Sequence, residues 1–163
     1  SRHLKSYETM EIGQIVYCVS ESVYELHLTK GSRYRVYAIG MQSKGDKVRI
    51  RGNIERLVWI PSDCFSTSPP PKILSISIDD EKEGLELSFT DVTVEFDLID
   101  KRWMTFMSLS HLSRLLTDGR EYISSNKLIL MKELTRSNIL RVIEDLDKQD
   151  EIVENSTPVI IQQ

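Results

Sequence analysis

Apolar and polar residues alternate along short stretches of the first third of the chain, which is the pattern of β-strands that bury one face. The alternation predicts four strands, at residues 14–19, 34–39, 47–51 and 54–60. In the second of these, Tyr34, Val36 and Ala38 are assigned to the buried face, and the residues between them to the exposed face. The first third of the chain is therefore predicted to be a small all-β unit.

Turn-forming residues separate the predicted strands. Lys30-Gly31 leads into the second strand, and Gly52-Asn53 is a two-residue hairpin signal between the third and the fourth. A proline turn at Pro61 ends the fourth strand. Residues 40–46 show no helical period and are predicted to form a flexible loop. Short strands joined by such turns favour a small barrel.

Residues 13–65 resemble an SH3-type barrel. The Lys30-Gly31 turn is similar to the diverging turn of that family, and Pro61-Ser62-Asp63-Cys64-Phe65 is similar to its Pro-Ser-Asn-Tyr-Val ending. The resemblance implies a barrel, and the family's peptide-binding members use an aromatic-lined groove for proline-rich peptides. Cys64 stands where that groove has a tyrosine, and no tandem tryptophan opens the third strand. The resemblance therefore implies the barrel more strongly than the peptide-binding activity.

Three consecutive prolines at 69–71 mark the clearest boundary in the chain. Such a run holds an extended polyproline conformation and acts as a semi-rigid spacer. The predicted organisation is a barrel with an N-terminal lead at residues 1–66, a linker at 67–72, and a second domain at 73–163.

The second domain is predicted to be an α+β fold, an antiparallel sheet with two helices on one face. Its strands are expected at residues 73–78, 85–90, 92–98, 103–107 and 127–131, with a further edge strand at 159–161. Ser108 is a good N-cap for a helix that ends at Gly119, and Thr135 or Ser137 caps the second helix. The predicted fold class of the whole chain is thus β plus α+β.

Composition is that of an ordinary globular chain. Of its 163 residues, 40% are hydrophobic and 28% are charged. No apolar run approaches the roughly 18–20 residues that span a bilayer, and the first residues lack the apolar core of a signal peptide. We therefore expect a cytoplasmic protein without a membrane partner.

Charge is distributed unevenly along the chain. Residues 30–56 contain eight lysines and arginines against two acidic residues, whereas residues 79–100 contain nine acidic residues against one lysine. Each of these regions attracts a partner of opposite sign.

No catalytic or metal-binding motif is present in the sequence. Glycine-rich phosphate loops, a nucleophile elbow and a His-Glu-x-x-His pair are all missing, and three histidines give no zinc spacing. Cys18 and Cys64 are expected to be reduced, buried thiols, although the barrel could bring them together as a disulfide. We predict a protein that is not an enzyme and needs no cofactor or metal.

Two charged surfaces remain as candidate binding sites. The acidic face consists of Asp79, Asp80, Glu86, Glu95 and Asp97. The basic face of the barrel consists of Arg33, Arg35, Tyr37, Lys47, Arg49 and Arg51. Three of the acids, Glu86, Glu95 and Asp97, also offer oxygen ligands for a divalent cation, but a solvated face is the preferred interpretation.

The acidic face suggests a macromolecule-binding protein that blocks a basic partner surface, as an inhibitor or an immunity-type protein does. The alternative is a nucleic-acid-binding module, in which the basic face follows a phosphate backbone and Tyr37 stacks on a base. The oligomeric state is left open.

Overall fold

The structure is a computed structural model that describes residues 9–42, 45–79, 88–124 and 127–160. The chain divides into two compact units. The first comprises residues 1–70 together with 147–150, and the second comprises residues 71–146 together with 151–163.

The first unit is built on a five-stranded antiparallel sheet. Its elements are β1 (Ile15–Cys18), β2 (Arg33–Gln42), β3 (Gly45–Arg51), β4 (Leu57–Pro61), a 3-10 helix (Ser62–Cys64) and β5 (Phe65–Ser66). The strand order across the sheet is β4-β3-β2-β1-β5. Within the described residues no ladder joins the edge strands β4 and β5, so hydrogen bonding does not close the sheet into the predicted barrel.

Apolar side chains from all five strands form the core of this unit. Val16, Val36, Ile50 and Ile60 are almost completely buried in it. Tyr34 is also buried, with its ring 6.1 Å from the ring of Phe65 in an edge-on arrangement.

The hydroxyl of Tyr34 holds two turns of the first unit together. It accepts a hydrogen bond from the backbone N–H of Thr29 at 2.8 Å and donates one to Oδ1 of Asn53 at 2.8 Å. Burial of a phenol is inexpensive only when its hydroxyl is paired in this way.

A bulge in β2 changes the predicted faces of that strand. Val36 lies opposite Ile50, but the register then shifts, so that Ala38 lies opposite Arg49 and Ile39 opposite Val48. Because directly opposed residues share a face of the sheet, Ala38 lies on the outer face with Arg49. The prediction that Ala38 shares the buried face with Val36 is therefore wrong.

Two turns of the first unit also differ from the prediction. The predicted loop at 40–46 is largely strand, because β2 and β3 pair out to Gln42 and Gly45. The connection between β3 and β4 spans residues 52–56 rather than a two-residue Gly52-Asn53 hairpin. Glu55 takes the positive φ of 60° in that longer turn.

The second unit is a mixed sheet with two helices. Its elements are β6 (Ile73–Ile78), β7 (Phe89–Phe96), β8 (Arg102–Ser108), α1 (Leu109–Thr117), β9 (Leu128–Met131), α2 (Arg136–Lys148) and β10 (Thr157–Pro158). The strand order is β10-β8-β7-β6, with β9 also paired to β8. The prediction of a purely antiparallel sheet is wrong at β9, which runs parallel to β8.

Helix α2 supplies the core of the second unit on one side of this sheet. Ile139 and Ile143 of α2 are fully buried with Val92, Val94 and Phe106 of the sheet. The oxygen Oγ1 of Thr135 accepts from the backbone N–H of Asn138 at 3.3 Å, which makes Thr135 the N-terminal cap. By contrast, α1 contributes no buried residue, so only α2 fulfils the prediction of helices covering one face.

The predicted boundaries hold for most elements of the second unit and fail at a few. Ser108 caps α1 as expected, its Oγ accepting from the backbone N–H of His111 at 3.2 Å. The predicted strand 92–98 ends at Phe96, and Leu98 is 63% exposed. Phe89 and Thr90 of the predicted strand 85–90 belong to β7 itself, and residues 85–87 lie outside the described residues. The last edge strand is at Thr157–Pro158, not at 159–161 as predicted. In the part of the chain that the structure describes, neither helix is long and apolar enough to cross a membrane.

Candidate functional site

The outer face of the first unit's sheet carries all six residues of the predicted basic face. Arg33 and Arg35 of β2 lie opposite Tyr17 and Ile15 of β1 and are exposed. Tyr37, the extra residue of the bulge, is 45% exposed. The other three, Lys47, Arg49 and Arg51, belong to β3.

Strand β3 places three cations in a row on the outer face. Lys47, Arg49 and Arg51 alternate with Val48 and Ile50, which are buried. The two-residue period of a strand therefore directs the three cations to the opposite side from the core. Arg51 approaches Glu55 at 3.9 Å, but both side chains are well exposed, and such a pair contributes little to stability.

Trp59 of β4 belongs to the same face and was not predicted as a site residue. It lies directly opposite Arg49 and is 44% exposed. The guanidinium carbon Cζ of Arg49 is 5.9 Å from the centre of the indole ring, within the range of a cation–π contact. We call the seven residues Arg33, Arg35, Tyr37, Lys47, Arg49, Arg51 and Trp59 the basic-aromatic surface.

Half-buried Arg49 has unmet hydrogen-bonding capacity. Its Nε atom is shielded from water and has no hydrogen-bond partner in the described part of the chain. A desolvated donor that lacks an acceptor is costly for a folded protein. Because the atom is covered, it is not itself a contact point for a ligand.

Gly40 determines where the indole of Trp59 can lie. A Cβ atom built at Gly40 would be 3.1 Å from Cζ3 and 3.4 Å from Cη2 of Trp59. The absence of a side chain at Gly40 thus allows the indole to rest directly on the backbone of β2. The six-membered ring of the indole is held close to Gly40 in this way, while the side chain as a whole remains 44% exposed.

We expect Gly40→Val to weaken any ligand that stacks on Trp59 while leaving the net charge unchanged. The new side chain must push the indole away from β2, because the Cβ atom alone already makes an unusually close contact. Loss of a well-placed stack is worth roughly 1–3 kcal/mol per base, and partial displacement should cost about 1 kcal/mol, or roughly fivefold in affinity.

Intrinsic tryptophan fluorescence checks this prediction, since the emission of Trp59 should shift when its environment changes. Wild-type emission and unchanged ligand affinity in the Gly40→Val variant would show that the glycine does not position the ring.

The acidic face is brought together only in part. Asp80 and Glu86 lie outside the described residues. Asp79 is exposed at the end of β6. Glu95 lies on the exposed side of β7, where its Oε2 accepts from Ser75 Oγ at 3.2 Å and lies 3.7 Å from Lys101 Nζ.

Asp97 has a structural role in a turn rather than a place on the sheet. It follows the last residue of β7, and its Oδ1 accepts from the backbone N–H of Lys72 at 2.8 Å. Its own backbone N–H donates to the carbonyl of Lys72 at 3.1 Å. The strand thus ends at Phe96, one residue before Asp97, and Asp97 itself is exposed.

The open face of the second sheet contains a feature that the charge pattern did not reveal. Trp103 of β8 is 39% exposed and lies opposite Thr93 and Thr157. Near it, Asp91 accepts a hydrogen bond from Thr105 at 2.6 Å. Among the described residues, this face thus combines hydroxyl groups with an aromatic residue and two carboxylates.

The described residues contain no cluster of three or more His, Cys, Asp or Glu side chains that could hold a metal ion. The ring of His111 stacks on Phe89 with centroids 5.3 Å apart. His27 has a buried Nδ1 without a hydrogen-bond partner in the described part of the chain.

Both cysteines are buried thiols and neither is in a disulfide. Cys18 lies opposite Phe65 in the pairing of β1 with β5, which places Cys64 one residue away along the chain. Burial, and secondarily the thiol of Cys64, raises the pKa of Cys18 from 9.0 to about 12. A thiol of this kind stays protonated and unreactive in the folded protein.

We expect the free energy of unfolding to fall as the pH rises above about 9. The folded state holds the Cys18 proton more tightly than the unfolded state, so this contribution is fully present below the ordinary pKa of 9.0 and is lost as the pH rises toward about 12. The expected slope is about 1.4 kcal/mol per pH unit. Burial raises the pKa of Tyr34 as well, which adds to the loss only above 10.0.

Urea unfolding at a series of pH values measures this slope. The Cys18→Ala variant, although less stable at every pH, should show a flatter slope between about pH 9 and pH 10. An unchanged slope in that variant would mean that another group is responsible.

Comparison with known proteins gives no match: no family model fits the sequence, no curated protein is significantly similar to it, and no solved structure matches the fold.

Proposed function

We propose that this protein binds macromolecules and that its first unit binds single-stranded nucleic acid through the basic-aromatic surface. The observation that carries the proposal is the Arg49–Trp59 pair, with the guanidinium 5.9 Å from the indole, in the middle of a row of outward cations. Binding surfaces for single strands combine positive charge with exposed aromatic rings in this way.

Each part of the surface has a distinct task in this proposal. Lys47 and Arg51 neutralise phosphates, which releases counterions and supplies most of the affinity without regard to sequence. Trp59 and Tyr37 offer ring faces on which bases stack. Arg49 holds the indole from one side and adds the positive charge of its guanidinium to the row of cations.

A single strand fits this surface better than a duplex does. Exposed rings can stack only on bases that are unpaired and splayed outward, and such bases are available in single strands. The ring faces also select no particular base, because every base has a π-face. Weak sequence preference and strong salt dependence are therefore expected.

We also infer that the first unit is an SH3-like barrel. The described order of a first strand, a long loop, three successive strands and a short helical turn before the last strand is the order that the resemblance implies. Barrels of this type bind many different ligands, so the fold does not identify the ligand. The proposed ligand is therefore inferred from the residues of the basic-aromatic surface.

A fluorescence titration with an oligothymidylate of about 12 nucleotides tests the proposed function, since this length lies within the site sizes of single-strand binders. We expect saturable quenching of tryptophan emission, and an affinity that falls linearly with salt concentration on a double-logarithmic plot. A duplex of the same length should bind more weakly and quench less. Absence of binding at low salt would exclude this function.

A second candidate function is the binding of a basic protein through the open face of the second sheet. The observation that favours it is the exposed Trp103, since tryptophan is enriched among the residues that dominate protein interfaces. Glu95 and Asp91 would then oppose cations of the partner, as expected for an inhibitor or immunity-type protein.

Purification from the native host separates the two candidates. Mass spectrometry of co-purified protein, together with the ultraviolet absorbance of co-purified nucleic acid, shows which kind of ligand is retained. The double variant Glu95→Lys with Asp91→Lys should lose a basic protein partner and should retain the oligonucleotide.

A further inference from the structure

We propose that two copies of this chain associate through β6, pairing the two strands antiparallel to extend the sheet of the second unit. This self-association goes beyond the proposed function and involves a different surface. Within the described part of the chain, β6 is paired only with β7, so its other edge presents backbone N–H and C=O groups without ladder partners.

The strand lacks the features that usually protect an edge. Natural edge strands carry charged side chains or prolines that prevent pairing with another chain. Residues 73–78 read Ile-Leu-Ser-Ile-Ser-Ile and contain neither. Leu74 is 59% exposed, and Ser75 and Ser77 are also exposed, so the strand is accessible to a second chain.

The strand also has faces that match those of an antiparallel copy of itself. Ile76 and Ile78 lie opposite Val94 and Val92 and therefore face the core. Ser75 and Ser77 lie on the opposite face of the sheet. An antiparallel pairing centred on Ile76, with Leu74 as the extra residue of the bulge, places Ile76 beside Ile76 and Ile73 beside Ile78 on one face, and Ser75 beside Ser77 on the other.

The charges that flank the strand favour a second copy as the occupant. Lys72 precedes β6 and Asp79 follows it, and both are exposed. Antiparallel pairing about a two-fold axis brings Lys72 of each copy toward Asp79 of the other, so opposite charges meet at both ends. Opposite charges across a strand pair stabilise it, and like charges destabilise it.

The pairing has only one irregular position. The register of β6 against β7 shifts between Ile73 and Ser75, which leaves the last four residues of the strand in regular pairing. A contact of this length is short, so we expect a reversible dimer rather than a permanent one.

Analytical ultracentrifugation of the full chain over a wide concentration range tests the proposal. The wild type should form a dimer. The single variants Asp79→Lys and Lys72→Asp place like charges at both ends of the pairing, and each should raise the dimer dissociation constant about tenfold. The hydrogen bonds described for Lys72 and Asp79 involve their backbone atoms, so neither change should lower the melting temperature appreciably.

Mixing the two single variants provides the decisive measurement. One variant then carries two lysines and the other two aspartates, so a heterodimer should form at concentrations where each variant alone is monomeric. The double variant Lys72→Asp with Asp79→Lys should regain the wild-type dissociation constant. A wild type that stays monomeric throughout, or a dimer whose dissociation constant ignores all these changes, overturns the proposal.

Discussion

Replacing Arg49 and Arg51 together by glutamate should lower the affinity for single-stranded oligonucleotide by about 100-fold at moderate salt. Two cations are lost from the basic-aromatic surface, and two carboxylates that repel phosphate take their place. The cation–π contact between Arg49 and Trp59 is lost as well. The slope of log K against log salt should become shallower by about 1.4, since each phosphate contact on a single strand contributes about 0.7.

A matched control separates this effect from the change in net charge. Lys132 and Arg141 are exposed residues of the second unit, and their double replacement by glutamate changes the charge by the same amount. That variant should bind the oligonucleotide nearly as well as the wild type. Equal losses in both double variants would show that binding follows net charge and does not use this surface.

A second double variant tests whether the loss of affinity is caused by unfolding. Arg49 is half-buried, so a carboxylate beside the indole is expected to lower stability to some extent. Lys47→Glu with Arg51→Glu leaves the Arg49–Trp59 pair intact and should still reduce affinity by more than tenfold. Thermal unfolding of all three double variants shows whether the binding losses occur in folded protein.

Much of this surface could be predicted because strands repeat every two residues. The alternation of Lys47, Arg49 and Arg51 with Val48 and Ile50 places the three cations on one face whatever the strand pairs with. The buried residues of β7 could be predicted from the same rule. The cap of α1 at Ser108 could be predicted for a different reason, because a serine side-chain oxygen can accept a hydrogen bond from the first turn of a helix.

The neighbours of that row could not be predicted, because they depend on how strands pair. Trp59 lies opposite Arg49 only in the register of β3 with β4, and that register follows a turn of five residues rather than two. The bulge at Tyr37 is a property of the β2 and β3 pair, and no local pattern indicates it. Gly40 was predicted to lie in a loop, but it belongs to β2 and contacts the indole of Trp59.

The described part of the acidic face shows that charge density along the chain differs from charge density on a surface. Asp97 is used in a turn with Lys72, and Glu95 faces Ser75 and Lys101. Sequence counts treat every carboxylate as available to a partner. Folding makes some of them acceptors for the chain's own donors.

Replacing Trp59 by alanine should reduce the affinity for single-stranded oligonucleotide by roughly 5- to 150-fold, the range that corresponds to about 1–3 kcal/mol per stacked base. The reason differs from that for the arginine variants, since no charge is changed. The salt dependence of binding should therefore keep its wild-type slope while the whole line moves to weaker affinity. Fluorescence quenching by the oligonucleotide should be lost with the indole.

Two companion variants make the assignment to Trp59 specific. Trp59→Phe keeps an aromatic ring next to Gly40 and should retain most of the affinity. If Trp59 only stabilised the fold, Trp59→Phe and Trp59→Ala would each lose affinity in proportion to their loss of stability. Trp103→Ala removes the other tryptophan, which lies in the second unit, and should leave binding unchanged. If Trp103→Ala is the damaging change instead, the ligand binds to the open sheet face of the second unit, and the basic-aromatic surface is not the site.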